Sequence, residues 1–279
     1  MMIATKKIIF LTCITLLLIS CTSNENPSTK TTESSMEETN AVPLINYTLH
    51  TIHPHDTSAY TEGLLVHNGV LYESTSADTS FPQTRSLFGT VDLTTGHISP
   101  KVELDRKKYF GEGITFLNNK VYQLTYLTKV GFIYDAKSFK PIGEFSFPSR
   151  EGWGLTNNGR VLIMSDGTPI LTYLDPSSFQ VQKTLLVSDN NGPVKLLNDL
   201  EYINGFIYAN IFTTNSIVKI DTATGAVVGR LDLTSLAQDA KLKYPGSLEM
   251  NGIAFNPAND SVYVTGKMWP HIYEISFSH

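Results

Sequence analysis

Cysteine is nearly missing from this chain. Of 279 residues only Cys13 and Cys21 carry a thiol, and both fall at the start. The rest must fold without a disulfide, and it has no cysteine zinc site and no cysteine nucleophile. Positive charge is also short. The formal net charge is −5, charged residues make up 17%, and no basic stripe runs along the sequence, so nucleic acid is not expected as a partner. No glycine-rich phosphate loop follows a parallel strand, and no G-x-S-x-G phrase occurs, so nucleotide-dependent transfer and serine hydrolysis have no support. The one apolar run, Ile8 to Ile19, is short for a membrane span.

That run follows Lys6-Lys7 and ends Leu18-Ile19-Ser20-Cys21, which resembles a bacterial lipobox. The resemblance implies a lipoprotein signal over 1–20 and lipidation of Cys21. Residues 21–42, rich in Ser, Thr, Asn, Glu and Pro, read as a flexible tether. The catalytic domain then occupies 43–279. The protein is expected to be exported and lipid-anchored to the cell envelope, on the periplasmic face or outer surface.

One short phrase returns five times. It reads Thr61-Glu62-Gly63-Leu64, Gly111-Glu112-Gly113-Ile114, Gly152-Trp153-Gly154-Leu155, Asn198-Asp199-Leu200-Glu201 and Asn251-Gly252-Ile253-Ala254. A polar turn and a short apolar run follow each, as in Val70-Leu71-Tyr72 and Phe206-Ile207-Tyr208. Taking Gly63, Gly113, Gly154, Leu200 and Gly252 as the middle residues, the step is roughly 40–50 residues, the mark of a β-propeller. Such a ring brings one equivalent loop of every blade to one end of its axis.

An aspartate before a turn also recurs, as Asp92, Asp135, Asp175 and Asp221, each followed by a last strand. The fifth repeat lacks that strand, and Tyr47 to Ile52 is the candidate to supply it from the other end of the chain. The reading is an all-β fold, a five-bladed β-propeller whose N-terminal strand closes the last blade and removes an exposed edge.

Glu112 is the first candidate for chemistry. It stands between two glycines after Phe110, where a strand should start near the axis. A desolvated carboxylate there would have a raised pKa and could shuttle protons near neutral pH. A glutamate satisfied by nearby backbone amides is the plainer alternative. Glu62 holds the same place one blade earlier, Trp153 holds it in blade three, and Asn198 and Asn251 fall nearby in blades four and five. Together they would make a polar pocket with an aromatic wall. Lys267, after Gly266, is either an oxyanion partner or a solvated loop residue. His53-Pro54-His55-Asp56, the one histidine cluster, is a metal site or a polar entry loop.

The phrases Tyr60-Thr61-Glu62-Gly63-Leu64, Phe110-Gly111-Glu112-Gly113-Ile114-Thr115, Glu151-Gly152-Trp153-Gly154-Leu155-Thr156, Leu197-Asn198-Asp199-Leu200-Glu201-Tyr202 and Thr265-Gly266-Lys267-Met268-Trp269-Pro270 resemble the glutamine cyclotransferase family, the plant and bacterial type of glutaminyl-peptide cyclotransferase. The resemblance spans residues 43 to 279. It implies a monomeric five-bladed propeller that turns the N-terminal glutamine of peptides or proteins into pyroglutamate and releases ammonia. It implies no cofactor and no metal at the reaction centre. By position, Glu112 looks like the family's catalytic carboxylate, Asn198 like the amide that holds substrate, and Lys267 like the active-site lysine. Phe110 and Trp153 look like pocket aromatics. The chain departs from the family at Glu62, where glutamine is frequent, and at Tyr126 and Phe212, where tryptophan is frequent. All three departures fall on the expected substrate slot. A metal-dependent propeller lactonase using Glu112, Asn198 and Asn251, or a non-catalytic propeller that binds peptides or glycans, are the competing readings.

Overall fold

The computed structural model describes residues 41–279, so the expected signal segment, the lipidation site Cys21 and nearly all of the expected tether lie outside the described residues. Five four-stranded antiparallel sheets follow one another. Blade one holds Thr61–His67, Val70–Thr75, Leu87–Val91 and Ile98–Glu103. Blade two holds Gly111–Leu117, Lys120–Thr125, Val130–Asp135 and Pro141–Ser146. Blade three holds Leu155–Asn157, Leu162–Met164, Ile170–Leu174 and Val181–Leu186. Blade four holds Leu197–Ile203, Phe206–Ile211, Ser216–Asp221 and Val227–Asp232. Blade five takes Met250–Asn256, Ser261–Gly266 and His271–Phe277 from the chain's end and Tyr47–Pro54 from its start. Tyr47 pairs with Phe277 and Pro54 with His271, so the two ends of the propeller share one sheet.

Each blade buries apolar side chains against the next, giving five core clusters for five interfaces. Leu65, Tyr72 and Phe88 meet Ile114, Phe116 and Val121 between blades one and two. Leu64 and Leu71 meet Ala254 and Tyr263 where blade five closes on blade one. Inner strands are covered on both faces, and Gly111–Leu117 is buried at every position. Outer strands face solvent, and in Val181–Leu186 only Leu185 is buried.

In blades one, two, four and five the repeated phrase is a β-bulge at the start of the inner strand, and in blade three it lies just before the strand Leu155–Asn157. The register slips between Thr61 and Gly63, Gly111 and Ile114, Leu197 and Leu200, and Met250 and Ile253. One extra residue re-aims the side chain beside it toward the axis. This register corrects the sequence reading in blade four. Asn198 matches Glu62, Glu112 and Asn251, so the residue in the glycine place is Asp199, not Leu200.

Glycine fills that place because the inner strands nearly touch. A Cβ added to Gly63 would stand 3.1 Å from the Gly113 Cα, and one on Gly113 would stand 2.7 Å from the Trp153 carbonyl oxygen. Asp199 uses the crowding differently. Its Oδ2 accepts the backbone N–H of Leu64 at 3.1 Å and of Ile253 at 2.9 Å, which ties blade four to blades one and five.

The recurrent turn aspartates accept local hydrogen bonds, as Asp92 does from Thr94 and Asp221 from Thr224. One element departs from the all-β expectation. Thr234–Lys243 is an α-helix that lays Leu236 and Ala240 on the core between blades four and five. It sits in the connection between two blades, where the repeat places no constraint.

Gly113→Ala forces a methyl against backbone that cannot retreat. A loss of ~1–3 kcal/mol in unfolding free energy is expected, the usual scale of overpacking, measured by denaturant titration.

Candidate active site

At the end of the axis where the bulges begin, a cavity of ≈ 220 Å³ gathers eight of the nine pocket residues expected from the sequence. Glu62, Glu112, Asn198 and Lys267 supply the polar groups, and Phe110, Tyr126, Trp153 and Phe212 the rings. The four polar residues are buried, although each could be charged or could hydrogen-bond water outside the fold. Asn251 does not line the cavity. It donates through Nδ2 to Glu62 Oε2 and to the Thr61 carbonyl, both at 3.1 Å, so the oxygen set of the lactonase reading is split. A larger hollow of ≈ 400 Å³ opens at the other end of blades three and four, beside Asn158, Arg160 and Lys183, and contains none of the expected residues.

Two lining residues were not foreseen, Tyr60 and Asp78. Tyr60 had a signal, since it stands two residues before Glu62 as Phe110 stands two before Glu112. Asp78 lies in the connection after Val70–Thr75 and repeats nothing.

The backbone around Glu112 is fixed by blade one. Ser74 Oγ donates to the Glu112 carbonyl at 2.6 Å, Ser76 Oγ donates to the Gly111 carbonyl, and Ser86 Oγ accepts the Gly111 N–H at 2.8 Å. The Glu112 carboxyl itself makes no hydrogen bond to protein among the described residues, so it is free for a ligand. The sequence alternative of a glutamate satisfied by neighbouring amides does not hold. Asn198 Oδ1 is likewise buried without a partner.

Lys267 is no solvated loop residue. Its Nζ donates to Glu62 Oε1 at 2.7 Å and lies 4.4 Å from the Tyr60 ring centroid and 5.4 Å from that of Phe212. Trp153 stands edge-on to Phe212 with centroids 5.6 Å apart, and its indole N–H donates to Glu151 Oε2 at 3.0 Å. The histidine cluster is dispersed among glutamates, with His53 on Glu274 and His55 on Glu73, each at 3.0 Å.

The two carboxyls have different company. Burial pushes Glu62 up to about 7, with Lys267 and Asn251 pulling the other way. Burial raises Glu112 well above the carboxylate range, and the neighbouring Glu62 charge raises it further. Burial is the largest influence on the Lys267 ammonium and works against it, but Glu62, Tyr60 and Glu112 together hold that pKa above its ordinary value. The negative charge therefore belongs on Glu62 beside Lys267, and the proton on Glu112.

Glu62→Gln removes the charge beside Glu112 and leaves Lys267 uncompensated. Both changes favour ionised Glu112, so its pKa is expected to fall, read from the carboxyl carbon chemical shift during a pH titration. An unchanged midpoint would show that the two groups do not interact.

The molecule's likeness to known proteins agrees with this geometry. A sequence model of the glutamine cyclotransferase family matches residues 15–277. Glutaminyl-peptide cyclotransferase of Arabidopsis thaliana is 36% identical over 224 residues, 80% of this chain and 68% of that one. The crystal structure of Myxococcus xanthus glutaminyl cyclase matches with a TM-score of 0.75 at 30% identity, covering 85% of this chain and 98% of the other. In sequence and in shape alike, the chain belongs to the glutamine cyclotransferase family.

Proposed function

We infer that the cavity closes the N-terminal glutamine of a peptide or protein into pyroglutamate and releases ammonia. One observation carries the reading. A buried Glu112 carboxyl, without a protein hydrogen bond among the described residues, shares a ≈ 220 Å³ ring-walled cavity with an ammonium, Lys267, and an amide oxygen, Asn198 Oδ1, that lacks a partner. That space suits one folded glutamine residue, with the rest of the peptide outside.

Both reactants belong to the substrate, so the work is positioning and proton transfer. The substrate's α-nitrogen attacks its side-chain amide carbon, and the new carbon–nitrogen bond closes the five-membered ring. Glu112, protonated at rest, gives its proton to the departing nitrogen, which leaves as ammonia with the bonding pair, and takes one back from the attacking nitrogen. Glu112 ends the cycle as it began. Its raised pKa brings it toward that of an α-amine, where proton exchange between the two is nearly balanced. Lys267 keeps donors beyond the one engaged by Glu62 and offers positive charge to the tetrahedral oxyanion. Asn198 Oδ1 accepts a substrate N–H. Phe110, Tyr126, Trp153 and Phe212 hold the slot apolar and keep out the water that would hydrolyse the amide instead.

The lipobox-like Leu18-Ile19-Ser20-Cys21 supports an exported protein held on the cell envelope by lipid at Cys21. On that reading, Cys21→Ala moves the protein from the membrane fraction to the soluble fraction.

The test is a Gln-initiated peptide followed by mass spectrometry, with and without chelator. Loss of one ammonia per peptide is expected in both, and Glu112→Gln should lower the rate ~10²–10⁴-fold while the fold persists. Near-normal turnover in that variant would remove Glu112 from the mechanism.

A further inference from the structure

We propose that the buried pair His55–Glu73 is a positioning unit for the reaction, a fixed imidazolium that sets Lys267 and Glu62 against each other. The proposal rests on the cyclotransferase reading of the cavity. Neither residue lines that cavity, and both side chains are fully buried.

Hydrogen-bond chemistry assigns the ring's state. His55 Nδ1 lies 2.8 Å from the carbonyl oxygen of Trp269, which can only accept. Nε2 lies 3.0 Å from both oxygens of Glu73. With Glu73 a carboxylate, a neutral ring would set a lone pair against one of these acceptors, so both nitrogens carry hydrogen. Two charged or titratable groups face the ring, Glu73 from Val70–Thr75 and Asp56 next in the chain, and both favour the cation. The Thr265 hydroxyl, 3.4 Å from Nδ1, is neutral. Burial is the largest single influence and opposes the charge, yet Glu73, the Trp269 carbonyl and Asp56 together hold the imidazole above its ordinary range.

The pair reaches both partners of the Glu62–Lys267 bridge. On one side, the Thr61 hydroxyl donates to Glu73 Oε1 at 2.7 Å, and Thr61 is the residue before Glu62. On the other, His55 straps the turn that carries Lys267. Its ring holds the Trp269 carbonyl, and its backbone N–H donates to the Pro270 carbonyl at 2.9 Å. Within that turn Met268 sits at φ +58°, a left-handed conformation that a side chain of this kind adopts only when its surroundings impose it. Lys267 Nζ and Glu62 Oε1 then meet at 2.7 Å. His53, in the strand Tyr47–Pro54 that leads to His55, pairs with Glu274 away from the turn and provides a matched control.

Two measurements on the full chain test this. Nitrogen-15 spectra of the histidine rings should show both His55 nitrogens protonated from about pH 6 to pH 8. A neutral ring with a single tautomer would overturn the proposal. In peptide assays Glu73→Gln should lower kcat ~10–100-fold, the scale of a small misplacement of catalytic groups, with KM moving far less. His53→Gln should leave both unchanged. If Glu73→Gln does not fold, Thr61→Val removes one hydroxyl and should lower kcat in the same sense. A folded variant that is less stable but has unchanged kcat would make the pair merely structural and end the proposal. Wild-type protein that leaves Gln-peptides untouched would instead end the cyclotransferase reading, with the ring spectra unaffected.

Discussion

Five inner strands converge on one axis so closely that at two of them a side chain has no room and at a third it has little. Gly113 and Gly154 sit against the next blade's backbone at distances a Cβ could not accept, and at Gly63 a Cβ would be tight, 3.1 Å from the Gly113 Cα. That contact decides the rest. It favours glycine in that place, and in blades one, two and four a bulge turns the preceding residue inward. The inward residues in blades one, two, three and four are Glu62, Glu112, Trp153 and Asn198, and these build the cavity.

The same crowding removes water, and with it the ordinary acid–base behaviour of the groups there. A carboxylate in such a place must find donors or keep its proton. Asp199 finds backbone N–H donors from two other blades. Glu62 finds Lys267 and Asn251. Glu112 finds no protein donor and keeps its proton. Three acids a few residues from the axis thus take three roles, set by what each is near rather than by what each is.

Activity here depends on elements that touch no substrate. Blade one's serines fix the Glu112 backbone from the neighbouring blade. The turn carrying Lys267 is held from below by a histidine on the N-terminal side of blade one. The strand that leads to that histidine, Tyr47–Pro54, is also the outer strand of blade five. Ring closure and lysine placement are therefore one structural event.

Much of this was legible before any coordinates. A phrase recurring at one step requires equivalent local structure, and equivalent structure closing on itself requires a ring, so blade number and the identity of Glu112, Glu62, Trp153 and Asn198 followed from the sequence. The limit shows at Leu200. Spacing alone cannot locate a bulge to one residue, because the extra residue is defined only by the partner strand, and pairing moved the match to Asp199. The helix Thr234–Lys243 and the lining residue Asp78 lie in connections that the repeat does not constrain. Tertiary structure alone decided which charges meet: Lys267 with Glu62 across 205 positions, and His55 with Glu73 in full burial. Sequence determines periodic backbone geometry because that is local and repeats. Pairing of unique side chains depends on where the ring brings them, and that is settled only when all five blades are in place.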